Sequence, residues 1–125
     1  MENNNRRVVI TGMGIWSCLG TTLDEVKESL FNGKSGIIFS PERKEMGFES
    51  GLTASVKKPE LKGLVDRAHR VFMPEEAQYA YMSTVDALKM AKLDEDYIEK
   101  HDIGLLFGND SSADAVVKSV DTMRE

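Results

Sequence analysis

The sequence is poor in cysteine, histidine and proline, and these shortages exclude several kinds of protein. Its 125 residues include one cysteine, two histidines and three prolines. Cys18 cannot form a disulfide within the chain, and with only His69 and His101 beside it no metal site with four Cys or His ligands can be assembled. We therefore predict a cytoplasmic protein that has no metal centre.

Long hydrophobic runs and a basic excess are also missing. The polar N-terminus, MENNNRR, leads into an apolar run too short for a signal peptide or a membrane span, and the net charge of −5 disfavours a general nucleic-acid binder. The charge is uneven, because residues 1–73 carry 11 basic and 9 acidic side chains, whereas residues 74–125 carry 5 and 12. We expect no contact with nucleic acid or membrane, and any anionic partner should meet the first part.

Two short apolar segments have the composition of buried strands. Residues 7–13 (RVVITGM) are rich in β-branched side chains, and residues 102–108 (DIGLLFG) are almost as apolar. Such nearly continuous hydrophobic runs are typical of strands covered on both faces of a sheet. The sequence therefore predicts a strand in each segment.

Helix signals follow the first of these segments. Thr22 and Glu25 have the spacing of a capping box, in which each side chain satisfies a free backbone N–H. Asn32 and Gly33 predict the end of this helix in a left-handed residue. The expected buried face has helical spacing and consists of Leu23, Val26, Leu30 and Phe31.

A longer helix is predicted over residues 74–92. Pro74 suits its first position, and acidic residues follow at the positive end of the helix dipole. Its apolar positions repeat every 3.6 residues, so we expect a largely buried helix; they are Ala77, Ala80, Tyr81, Val85, Leu88 and Ala91. Between the two helices, residues 34–71 predict an irregular connection with short strands or turns. Asp94 predicts a short helical turn through Ile98.

Strand and helix signals alternate along the chain, which is typical of α/β proteins. The alternation continues in the tail, where Ala113, Val116, Val117 and Val120 have helical spacing. Two buried strands are too few for a self-contained parallel sheet. We therefore expect residues 1–125 to form a single incomplete domain of a larger fold.

Gly12 and Gly14 invite comparison with a dinucleotide-binding loop, but the pattern is incomplete. A third glycine would be needed at position 17, which is Ser17. A glycine-rich turn is therefore favoured over a stand-alone nucleotide-binding module.

Cys18 and the two histidines are weak catalytic candidates. Cys18 precedes a helix that could stabilise a thiolate, but a lone cysteine is more often a small buried hydrophobe. His69 is expected at the surface or an interface, and His101 in a loop at the end of a helix. Neither histidine has a partner identified by the sequence, so no acid or base role follows.

A loose run of basic residues precedes the long helix. By default such a run is a solvated surface, and the functional alternative is a docking site for an acidic protein or a phosphate group. Its members are Lys57, Lys58, Lys62, Arg67 and Arg70.

Several segments, in order, resemble the β-ketoacyl-acyl-carrier-protein synthases (3-oxoacyl-ACP synthases), the condensing enzymes of the thiolase fold. The resemblance begins with RRVVITGMGIWSCLG at residues 6–20 and continues through the T-x-x-E helix and NGKSGI at 32–37. It includes LVDR at 64–67, RVFM at 70–73 before the long helix, and LLFG at 105–108. The type I branch, which elongates bacterial fatty acids, is most similar.

This resemblance implies the N-terminal part of a layered α/β/α/β/α enzyme. Such a synthase is a cytoplasmic homodimer without cofactors that transfers an acyl group from acyl carrier protein to a cysteine, then condenses it with malonyl carrier protein. The product serves fatty-acid or related polyketide or polyene biosynthesis. Cys18, His69 and His101 do not match the family's catalytic cysteine and histidines, so no catalytic residue is assigned to this chain. The alternative is a non-catalytic chain-length or partner subunit of the same fold.

Two departures from the family pattern concern binding residues. Asn109, Asp110 and Ser111 stand in a loop that is usually rich in glycine and serine and contributes to the acyl pocket across the dimer. A carboxylate beside an apolar chain is costly unless it turns to water or finds a partner. In the carrier-docking region the family's basic pair appears as Ala68 and Val71, so Arg67, His69 and Arg70 are the expected substitutes.

Overall fold

Helices make up most of the regular structure in the computed structural model, which describes residues 7–109 and residue 121. The elements, in chain order, are α1 (Leu23–Phe31), β1 (Ile37–Phe39), α2 (Pro41–Glu45), β2 (Leu52–Ala54), α3 (Arg67–Arg70), α4 (Glu75–Ala91) and α5 (Glu95–Lys100). None of the helices in this part of the chain is long and apolar enough to cross a bilayer. The predicted tail helix lies outside the described residues.

Helix α1 begins and ends where the sequence predicts. The Thr22 hydroxyl accepts a hydrogen bond from the Glu25 N–H (3.2 Å), while the Glu25 carboxylate accepts bonds from the backbone N–H groups of Thr21 (2.7 Å) and Thr22 (3.2 Å). Gly33 follows the helix with a φ of 61°, a conformation that glycine adopts without steric cost. The capping box and the glycine stop are therefore confirmed.

The buried face of α1 is narrower than predicted. Val26 and Ser29 are buried, and the Ser29 hydroxyl donates to the Leu19 carbonyl at 2.8 Å, which joins α1 to the turn before it. Leu30 and Phe31 are exposed, with 64% and 83% of their surface accessible. The prediction that they are covered is wrong for the described residues, because no described element packs over the C-terminal end of α1.

The connection between α1 and α4 contains short strands, as predicted, and also the short helices α2 and α3, which the sequence did not predict. Strands β1 and β2 pair antiparallel in a two-stranded sheet, with Ile38 opposite Thr53. The short helix α2 lies between the two strands, and the Phe39 ring packs so closely on buried Gly51 that a side chain there would collide with it. Farther along, Leu61 is 5% exposed and anchors the chain before α3.

Helix α4 confirms the predicted long helix but not its burial. Pro74 is its N-cap, one residue earlier than expected, and Lys92 ends it in the left-handed conformation. No residue of α4 is fully buried. The prediction of a largely buried helix is wrong here because, among the described residues, only parts of its surface are covered. Helix α5 has the predicted cap, since the Asp94 carboxylate accepts from the Tyr97 N–H at 2.9 Å. The helix runs to Lys100, two residues beyond the predicted end at Ile98.

The two predicted strands do not form. Residues 7–13 and 102–108 have no strand pairing, and Val8 and Leu106 are 96% and 98% exposed. An extended segment becomes a strand only when a neighbouring backbone accepts and donates its hydrogen bonds, and the described residues supply no such neighbour. The described chain is therefore a mixture of helices and short strands, without the central parallel sheet of an α/β fold.

Candidate functional site

An apolar groove of about 420 Å³ lies between α4 and residues 105–109. Its lining is formed by Met73, Pro74, Glu76, Ala77, Ala80, Tyr81, Thr84, Leu105, Phe107, Gly108 and Asn109. Asn109 is one of the three predicted pocket residues, and the structure places it in the wall of this groove. The other two, Asp110 and Ser111, lie outside the described residues.

The residues of α4 explain the shape of the groove. Ala77 and Ala80 are small and leave space beside the helix, whereas Tyr81 contributes an aromatic wall. The Tyr81 hydroxyl donates to the Leu64 carbonyl at 3.4 Å, and the Thr84 hydroxyl donates to the Ala80 carbonyl at 2.8 Å. These bonds occupy two of the polar groups in the lining, so the groove favours an apolar guest. The 3.6-residue pattern had identified three of these positions as an apolar face but gave no sign of a groove.

The predicted docking residues lie on the short helix α3 and differ in exposure. Arg67 and His69 are exposed, whereas Arg70 is half-buried. The Nε atom of Arg70 is buried and has no hydrogen-bond partner among the described residues. Of the three, Arg67 and His69 are therefore the ones whose side chains are open to a partner.

The weak catalytic candidates are not brought together. Cys18 is half-buried, and its side chain packs against the backbone of Gly36, where an added Cβ would lie 2.6 Å from the sulfur. His101 is the C-cap of α5, as expected, with Nδ1 2.8 Å from the Tyr97 carbonyl and its ring stacked on Tyr97 at 3.9 Å. Within the described residues no hydrogen bond joins Cys18 to either histidine. Among the described residues, Cys18 and the two histidines do not form a pair of nucleophile and general base.

Gly12 and Gly14 serve the packing of α4. A Cβ on Gly14 would collide with the Ser83 carbonyl oxygen, and one on Gly12 would lie 2.9 Å from the Ala91 nitrogen. Neither glycine has a positive φ. The predicted glycine-rich turn is therefore wrong for these two positions, since both are needed for close approach of the backbone to a helix. In residues 7–109 and at residue 121, no cluster of three or more acidic, His or Cys side chains could hold a metal ion.

Two side chains have shifted proton affinities. The backbone N–H of Thr21, more than any other group, stabilises the Glu25 carboxylate and lowers its pKa; the Thr21 hydroxyl adds to the effect. Burial, with a smaller contribution from Glu75, raises the pKa of Tyr79 to about 12. The Tyr79 side chain on α4 is therefore an uncharged phenol near neutral pH.

The family is identified by comparison with known proteins. Residues 5–125 match the family model described as beta-ketoacyl synthase, N-terminal domain. Proteins named 3-oxoacyl-[acyl-carrier-protein] synthase 1 are similar: that of Buchnera aphidicola subsp. Acyrthosiphon pisum is 37% identical over 108 residues, covering 86% of this chain and 26% of the relative. The protein of Haemophilus influenzae is 41% identical over 103 residues, which cover 82% of this chain and 25% of the relative. The protein of Escherichia coli K12 is 40% identical over 105 residues, which cover 83% of this chain and 26% of the relative.

The chain thus spans about a quarter of the length of these curated relatives. The matched span nevertheless contains the residues of the α1 capping box, Gly12 and Gly14, and the residues that line the α4 groove. The chain belongs to the beta-ketoacyl synthase family and matches the model of that family's N-terminal domain.

Proposed function

We propose that the complete protein is a 3-oxoacyl-ACP synthase and that residues 1–125 are part of its layered, thiolase-like N-terminal lobe. The single observation that supports this proposal is the match to the family model over residues 5–125. The relatives named above are synthases of this kind, so a role in fatty-acid or related polyketide or polyene biosynthesis follows. The proposed protein is a cytoplasmic homodimer, and its partner is acyl carrier protein.

The proposed reaction is a decarboxylative Claisen condensation. A cysteine thiolate takes the acyl group from one carrier protein, and malonyl carrier protein loses carbon dioxide to leave an enolate. The enolate carbon attacks the acyl carbonyl, a carbon–carbon bond forms, and the cysteine thiolate leaves. We place this cysteine and the two histidines that stabilise the enolate outside residues 1–125. The packing of Cys18 against Gly36, with no hydrogen bond to either histidine among the described residues, supports that placement.

Residues 1–125 would contribute scaffold and part of a pocket wall. The groove between α4 and residues 105–109 is apolar and has Asn109 in its lining, and Asp110 and Ser111 come next in the sequence. By the resemblance to the family, these residues of a homodimer would approach the acyl chain of the partner subunit. Because a carboxylate is costly to bury beside an apolar chain, Asp110 would restrict the acyl groups that fit.

Thiol acylation tests this function. The complete protein is mixed with acyl-acyl carrier protein, and the acyl-enzyme is detected by mass spectrometry; release of carbon dioxide from malonyl carrier protein is measured in parallel. We expect both reactions in the native protein and in the Cys18→Ser variant. Absence of both reactions would contradict the proposal. Decarboxylation without acylation would favour the non-catalytic partner subunit.

A further inference from the structure

Residues 36–57, which we call the strap, contain β1, α2 and β2 and are bonded mainly to themselves. Among the described residues, every hydrogen bond formed by residues 37–56 has its partner within residues 35–56. The ion pairs of the described residues, Lys34 with Glu28 and Lys100 with Asp96, both lie outside the strap. The polar groups of the strap therefore do not tie it to α1 or α4 along its length.

The internal bonds join the two strands and α2 into one unit. The Ser40 N–H donates to the Gly51 carbonyl at 2.7 Å, and the Phe48 N–H donates to the Arg43 carbonyl at 3.0 Å. The Arg43 guanidinium also lies over the Phe48 ring, 4.3 Å from its centre. A segment whose hydrogen bonds are internal can open without breaking the bonds of its neighbours.

The strap also has little buried apolar surface. Gly51 is the one buried residue among residues 37–56, and the Phe39 ring that packs on it belongs to the strap itself. Ile37 and Leu52 are each 58% exposed. Because burial of apolar surface is the main force that fixes a segment to its neighbours, the described residues hold the strap only weakly along its length.

Both ends of the strap are held by the same turn of the chain. At the C-terminal end, the Trp16 indole N–H donates to the Lys57 carbonyl, and the Glu25 carboxylate attracts the Lys57 side chain. At the N-terminal end, Gly36 packs so closely on Cys18 that an added Cβ would lie 2.6 Å from the sulfur. We call Trp16 and Cys18 the clasp, because they hold the two ends of the strap from positions two residues apart.

We infer that the strap opens and closes as one unit while α1 and α4 stay folded, and that the clasp keeps it closed. Loss of the Trp16 bond frees the C-terminal end, and movement of the strap then lifts Gly36 from the Cys18 sulfur. The reactivity of this thiol therefore reports the open state. Opening of the strap does not depend on the acylation reaction proposed above.

Hydrogen exchange and thiol labelling of the complete protein test the strap. Mass spectrometry follows amide exchange in residues 37–56 and in α4, and the mass of the Cys18 peptide follows its labelling by iodoacetamide. The Trp16→Phe variant keeps an aromatic ring but loses the donor to the Lys57 carbonyl. Loss of one hydrogen bond should accelerate strap exchange and Cys18 labelling about fivefold, and exchange in α4 should change less than about twofold.

Two further variants separate the clasp from a general loss of stability. Tyr81→Phe is the matched control, since it removes the same kind of bond, from an aromatic side chain to the Leu64 carbonyl, outside the strap. It should change strap exchange and Cys18 labelling less than about twofold. Gly36→Ala disturbs the clasp from its other side, because the methyl group meets Cys18, and should also accelerate strap exchange.

Three outcomes would overturn the inference. Exchange of the strap that is as slow as that of α4 in the native protein would show that the strap opens only with global unfolding, and so would an equal acceleration in both regions of the clasp variants. Unchanged strap exchange in both Trp16→Phe and Gly36→Ala would show that the clasp does not hold the strap. Faster strap exchange with unchanged Cys18 labelling in Trp16→Phe would show that the strap does not open as one unit.

Discussion

The sequence predicts helix α1 as clearly as it predicts strands in the two apolar segments, residues 7–13 and 102–108. Only α1 has the predicted structure. The signals for α1 are local: Thr22 and Glu25 bond to each other's backbone, and Gly33 ends the helix within one turn. A strand needs a partner that is distant in sequence. The comparison shows that local chemistry is satisfied within this chain, whereas the apolar segments depend on contacts that the described residues do not provide.

The largest expected effect comes from the glycine that holds residues 7–14 against α4. Gly14→Ala would force a methyl group into the Ser83 carbonyl, and rigid backbone cannot move aside cheaply. We expect a loss of about 3 kcal/mol in stability of the complete protein, measured by urea unfolding. Gly104→Ala is the control for a glycine that meets no described helix, because an added Cβ there has no atom of the described residues within 4 Å. Equal effects of the two variants would show that residues 7–14 do not pack on α4 as described.

Hydrogen exchange of the 125-residue chain compares the two kinds of region directly. We expect the amides of α1 to exchange at least about tenfold more slowly than those of residues 7–13 and 102–108, since unpaired backbone is open to water. Mass spectrometry or NMR would measure the difference. Cooperative unfolding with strong protection of both apolar segments would contradict our interpretation that these segments need further partners.

The capping box of α1 offers a smaller and pH-dependent test. Thr22→Ala removes the hydroxyl that accepts from the Glu25 N–H and should cost about 1 kcal/mol, measured by thermal or urea unfolding. Thr53→Ala, on the short strand β2, serves as the control for loss of a hydroxyl outside a cap.

Glu25 should make the stability of the protein depend on pH. Hydrogen bonds, chiefly from the Thr21 backbone, hold the pKa of Glu25 below its unfolded-state value. Its contribution to stability is therefore complete above the unfolded-state pKa and is lost as the pH falls through the lower folded-state pKa. The Glu25→Gln variant should be less stable at neutral pH, and its difference from the native protein should diminish in acid. A difference that stays constant with pH would contradict this role.

The smallest expected effect concerns the end of α4. Lys92 has a φ of 57°, which is strained for a residue with a Cβ. Two backbone hydrogen bonds fix its position: the Lys92 N–H donates to the Lys89 carbonyl, and the Leu93 N–H donates to the Leu88 carbonyl. Lys92→Gly should therefore stabilise the protein by about 0.5–1 kcal/mol. Lys89→Gly, inside the helix, should destabilise it by about 1 kcal/mol. Unfolding midpoints that move in the same direction for both variants would contradict the proposed strain.

The candidate groove shows the limit of sequence reasoning. The period of α4 identifies Ala77, Ala80 and Tyr81 as one apolar face, and the resemblance to the synthases directs attention to Asn109. Neither pattern predicts that these residues line a common groove, because their proximity depends on how residues 105–109 lie along α4. The run of basic residues before α4 is similar: the sequence identifies its charges, but the anchoring of Lys57 by Trp16 and the covered Nε of Arg70 are tertiary features.

The sequence by itself determined both ends of α1, the start of α4 to within one residue, the Asp94 cap of α5, the family and the uneven charge. These properties depend on neighbouring residues or on the order of motifs along the chain. Tertiary structure alone decided that Gly12 and Gly14 are packing residues, that α4 is only half-covered, and that the two apolar segments remain unpaired among the described residues. The physical reason is that burial and strand pairing are properties of residues distant in sequence, and they exist only where the chain brings a second surface into contact.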